Sequence, residues 1–103
     1  MIKFKLDPDP VFRAKVSIPV HGGKSAEVEF GFRHRTRDEL SEFMKGIEKM
    51  EDVAIVMAVA ASWELSDPFT EENVRKMLQN YMGSGKAIAS RYIDELTAAS
   101  AGN

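Results

Sequence analysis

Three short segments in the first third of the chain alternate apolar and polar residues. Ile2, Phe4 and Leu6, then Phe12, Ala14, Val16, Ile18 and Val20, then Val28, Phe30 and Phe32 form the apolar sets, while Lys3, Lys5, Arg13, Lys15, Ser17, Glu27 and Glu29 fill the opposite face. A period of two predicts three β-strands, each with one buried and one wet face. Between the second and third runs lies "VHGGKSAE", whose paired glycines tolerate the positive φ angles of a tight reversal.

Parity restricts that reversal. If the apolar sets of both strands share one core, facing residue numbers must sum to an even value. A two-residue Gly22-Gly23 turn breaks this rule, and three- or five-residue loops satisfy it. A three-residue loop, His21 to Gly23, also sets Lys15 opposite Glu29, a favourable cross-strand pair. The sequence therefore predicts a hairpin closed by His21–Gly23.

From residue 36 the spacing becomes helical. Leu40, Phe43, Met44 and Ile47 follow i, i+3, i+4, i+7, as do Val53, Val56, Met57, Ala60 and Trp63; Val74, Met77, Leu78 and Tyr81 repeat the pattern, and Ile88, Tyr92, Glu95 and Leu96 close it. Four helices are predicted. Thr36 to Glu39 reads as a capping box, Thr70 with Glu71 and Glu72 as a helix start, and Gly83 as a left-handed helix stop. Asp7-Pro8-Asp9-Pro10 and Asp67-Pro68 mark turns, and Ala98–Asn103 reads as a fraying tail. The expected architecture is α+β: an N-terminal antiparallel hairpin or small sheet followed by about four α-helices, in one domain spanning residues 1–103.

The second predicted helix, from about Glu51 to Leu65, is apolar on the Val53, Val56, Met57, Ala60, Trp63 face and again on the Ile55, Ala58, Val59 face. One-sided burial would leave about half of it wet. Either the helix is central and covered on both sides, or its second face, with Met44, Met50 or Met82 nearby, docks another chain or another copy.

Charge narrows the function classes. Lys plus Arg number 14 and Asp plus Glu 16, a net charge of −2, so the chain lacks the basic excess of a typical nucleic-acid-binding domain. The basic run "FRHRTRDEL" is locally cancelled by Asp38, Glu39 and Glu42, and reads as a solvated, ion-paired strand-to-helix junction with Arg33 and Arg35 pointing outward. With no cysteine, disulfides, thiolate catalysis and Cys-based zinc sites are excluded. "MIKFKLDPDP" has no secretory apolar core, and the longest apolar run, Val53 to Ala61, is about half of the ~20 residues that span a bilayer, so neither export nor a membrane span is expected.

Two glycine-lysine stretches imitate a phosphate-binding loop. "GGKS" at Gly22 has Ile18 where the leading glycine belongs and is followed by a strand; "NYMGSGKA" has Asn80 for the first glycine and Ala87 for the magnesium-binding hydroxyl. His21 and His34 stand at opposite ends of one strand, and the acid pairs Glu71-Glu72 and Asp94-Glu95 have no nucleophile tied to them. No cofactor, metal or catalytic constellation is expected.

The ordered series "FKLDPDPVFRAKVSIPVHGG", "VEFGFRHRTRDEL", "AASWEL", "FTEENVRKMLQNY" and "AIASRYIDEL" resembles the small tail assembly chaperones encoded by long-tailed bacteriophages and prophages, over Phe4 to about Leu96. The resemblance implies a non-enzymatic assembly factor in the cytoplasm of the bacterial host, absent from the mature virion. It would bind the tape measure protein, keep it soluble and help tail tube protein gather on it; self-association is a further option. On this reading partner helices contact an apolar surface including Ile55, Val59 and Met82, with Arg33 and Arg35 as rim charges. The alternative is a small nucleic-acid-binding regulatory protein.

Overall fold

A computed structural model describes residues 3–98 of the chain. Strand β1, Val11–Val20, and strand β2, Lys24–Arg33, form the expected antiparallel hairpin. Val20 faces Lys24, so the loop is His21 to Gly23, and Gly22 and Gly23 carry the positive φ angles of 87° and 73°. Lys15 faces Glu29 as parity requires. The ion pair is diagonal instead: Arg13 reaches Glu29 at 3.3 Å and Glu64 at 3.1 Å, and these bonds, Glu64's first, raise the guanidinium's pKa.

The strand expected at Ile2–Leu6 does not form within the described residues. Lys3 to Pro10 is irregular, with Phe4 and Leu6 exposed, because no neighbouring strand offers its backbone a ladder.

Thr36 caps helix α1, Arg37–Gly46, and the capping box is complete: Thr36 Oγ1 accepts from the Glu39 N–H at 3.2 Å, while Glu39 accepts from the Thr36 N–H at 2.8 Å. A single 3₁₀ turn at Ile47–Lys49 follows. Leu40 and Phe43 pack against the core, yet α1 has no fully buried residue.

The expected helix from Glu51 to Leu65 is shorter by half. Helix α2 runs only Asp52–Val59, and the chain passes without a loop into strand β3, Ala60–Trp63. Ala60 serves both elements: its N–H bonds to the Val56 carbonyl, while its backbone (φ −106°, ψ 145°) is already extended. β3 pairs antiparallel with β2, giving the order β1-β2-β3. Phe30 faces Trp63 and Gly31 faces Ser62, but Phe32 faces Ala60, so the ladder skips Ala61. That bulge lets residues 60 and 63, which a regular strand would send to opposite faces, both enter the core.

Helix α3, Glu71–Asn80, starts at Thr70, whose hydroxyl accepts from the Asn73 N–H at 3.1 Å, and helix α4 is Ser84–Thr97. α4 lies against β1 and α2 and contributes Ile88 and Tyr92 to the core. One face of the sheet meets these helices through Val16, Phe30 and Phe32, and Phe12, Phe32 and Tyr92 pack ring on ring at 5.5–6.1 Å. Each fully buried side chain of this size contributes about 1.5–3 kcal/mol. The tail expected to fray lies, beyond Ala98, outside the described residues.

Candidate functional site: an apolar surface beside the hairpin turn

Two exposed elements meet where the hairpin turn approaches the link between α3 and α4. The link is a tight turn. Ser84 is fully buried, its N–H donates to the Tyr81 carbonyl at 2.9 Å, and its hydroxyl donates to the same oxygen at 2.6 Å. Gly83 has φ −87° and ψ −2°, as at the third position of a type I turn, so Met82 occupies the outer corner. The expected left-handed stop at Gly83 is therefore absent. Glycine is needed there for closeness: a Cβ would come within 3.1 Å of the Pro19 ring.

This geometry thrusts Met82 into solvent at 92% exposure. On one side lies a cleft of about 260 Å³ lined by Pro19, Val20, His21, Asn80, Tyr81 and Met82. Beyond Tyr81, a second cleft of about 310 Å³ is lined by Trp63, Leu65, Asp67, Asn73, Lys76, Met77, Asn80 and Tyr81. Tyr81 and Asn80 border both, which makes the two clefts one surface with a tyrosine ridge. The floor is held from below: Trp63 Nε1 donates to the Asp67 carbonyl at 2.7 Å and its ring meets Phe69 edge-on at 5.2 Å. Asp67, Asn73, Lys76 and Asn80 supply the polar part of this second cleft's lining. The surface is shallow and mixes apolar with polar side chains, suited to holding side chains of another protein.

The five residues expected to form one contact surface do not converge. Met82 is at the closed end of the hairpin with Val20 and His21, whereas Arg33 faces Val11 at the open end, about 30 Å away along a ten-residue strand. Arg33 is exposed; Arg35 is half-buried, with its guanidinium 4.3 Å over the Phe43 ring and hydrogen bonds to the Ala58 carbonyl and the Tyr92 hydroxyl. The expected outward-pointing rim charge is thus a strut between β2, α1, α2 and α4. The ion pairs expected at this junction form elsewhere: Glu42 pairs with Lys45, and Glu39 is taken by Thr36. Ile55 is half-buried, and Val59, 1% exposed, is a core residue. A surface through Val59 is accordingly excluded.

A protein-family model described as phage tail assembly chaperone matches residues 1–103. The chain belongs to that family. No curated protein and no solved structure matches it. Membership in a family of tail assembly chaperones implies phage tail proteins as partners, and a protein-binding surface is the kind of site such a chaperone needs. Tyr81 carries no sequence signal for a surface role because it reads as one more inward position of an apolar helical stripe. Its backbone, φ −129° and ψ 87°, has already left the helix, which turns the ring half outward.

Proposed function

We propose that this tail assembly chaperone binds the tape measure protein through the Tyr81–Met82 surface, keeps that long helical chain soluble, and promotes gathering of tail tube protein on it. It acts without catalysis, in the host cytoplasm, and is left out of the mature virion. The observation that carries this reading is the unburied Met82 at the corner of a pinned turn, with apolar clefts on both sides of Tyr81. An amphipathic helix offers apolar side chains at i, i+3, i+4 and i+7, and two adjacent shallow clefts accept successive members of such a row. Methionine adapts to varied side chains, which suits a partner with many similar helical segments.

Co-expression with the tape measure protein of the same phage tests it. The natural chain should yield a soluble complex, and Met82→Glu should leave the tape measure insoluble while its own circular dichroism and melting temperature stay as they were. Undiminished capture by a folded Met82→Glu chain would remove this surface from the contact.

A further inference from the structure

We infer that the outer edge of β1 is a second docking site, for an extended segment of another protein in which apolar residues alternate with Asp or Glu. β1 is a terminal strand of the sheet. The His34 N–H donates to the Pro10 carbonyl at 2.9 Å, continuing the ladder with β2. Backbone groups alternate sides along a strand, so even-numbered residues of β1 turn toward β2 and Val11, Arg13, Lys15 and Ser17 turn outward. Pro19 fits this phase, since its missing N–H falls on the outer side. Among the described residues, no backbone hydrogen bond outside the helices and strands reaches those four outward groups.

The side chains define what strand this edge accepts. At its open end, between the start of β1 and the last turn of α4, lies a cleft of about 740 Å³ with Phe12 and Leu96 half-buried in it; Lys3, Lys5 and Arg13 line it, and so do Asp9 and Glu95, whose carboxylates are taken by Lys5 and Arg91. A strand added outside β1 must keep the phase of the pleat, so one of its faces continues the Phe12 side and the other lies beside Arg13 and Lys15. The first calls for apolar residues and the second for carboxylates. Lys3 and Lys15 have no ion pair among the described residues, whereas Lys5 is held by Asp9 and Arg13 by two glutamates. The same charges disfavour a second copy, because central antiparallel registers of β1 on β1 set Arg13 against Lys15, or one of the two against its own equivalent. Nucleic acid would meet the cations but would leave the apolar cleft and the backbone edge unfilled.

Isotope-labelled full-length chain, titrated with a capped eight-residue peptide alternating Val and Glu, provides the test. The amides of Val11, Arg13, Lys15 and Ser17 should shift and exchange more slowly with solvent, while a Val and Lys peptide leaves them unchanged. Lys15→Glu should weaken the acidic peptide about tenfold and favour the basic one. Ser17→Pro, at an outward position that the hairpin ladder does not use, should abolish protection with the fold retained. Equal response to both peptides, no protection at saturating peptide, or protection of the same amides by a single-stranded oligonucleotide but not by peptide would overturn the proposal.

Discussion

The guanidinium of Arg35 donates to the hydroxyl of Tyr92 at 2.9 Å, tying the second residue after the hairpin to the last helix. The same hydroxyl donates to the Arg33 carbonyl at 2.7 Å, and the Tyr92 ring is fully buried between Phe12 and Phe32. Tyr92→Phe keeps the packing and strips both bonds. It should cost about 1–2 kcal/mol, read from urea denaturation followed by the emission of the single tryptophan, Trp63.

Arg35 also braces α1, which has no fully buried residue of its own. Hydrogen exchange should find the α1 amides the least protected of the four helices, and Arg35→Ala should speed them further while leaving α2 and α4 nearly unchanged. Equal acceleration in all helices would show that the arginine serves the whole core.

Glu39 sits at the start of α1, and the Thr36 N–H, then the Thr36 hydroxyl, hold its pKa below the ordinary carboxylate value. A depressed folded value means that the contribution is present above the unfolded pKa, about 4, and is lost as the pH falls through the folded one. Chemical shifts of the first turn of α1 should therefore move on acidification, and Glu39→Gln should flatten that response. Thr36→Ala should cost about 1 kcal/mol.

Gly31 has Ser62 Oγ only 2.5 Å from where a Cβ would stand, with Val11 Cγ1 at 3.3 Å. Gly31→Ala should destabilise the sheet by about 1–3 kcal/mol. Ser62→Ala removes the nearer atom, so the double variant should recover much of the loss in a thermal melt. No recovery would locate the strain at Val11.

Val59→Asp should unfold the chain or drive it into inclusion bodies, since an unpaired carboxylate would replace a core methyl cluster at a cost above about 3 kcal/mol. A soluble, normally melting variant would contradict the burial of α2 described above.

The hairpin was legible because parity leaves few choices: even sums and two glycines lead to the loop His21–Gly23, and the hairpin closes there. The Thr36 and Thr70 helix starts were legible for a similar reason, since each rests on a side chain three residues from its bonding partner. β3 was not. Ala60 and Trp63 stand three apart, which is helical spacing, and only the bulge at Ala61 makes a strand bury both. That bulge depends on β2 lying alongside, a tertiary fact with no local signal. The reverse error occurred at Phe4 and Leu6, whose alternation suits a strand that has no neighbour. For the candidate site, Met82 was identified, but its companions Tyr81 and Val20 are brought together by the approach of Gly83 to Pro19, which no spacing along the chain encodes.

During synthesis the hairpin leaves the ribosome first, carrying Phe30 and Phe32 on a ribbon whose second margin stays open until Trp63 has also emerged. Throughout that interval the nascent ribbon can stick to others like it. Pausing of translation after the hairpin has emerged but before Trp63 has left the exit tunnel is thus hazardous for this chain, and pausing later comparatively harmless.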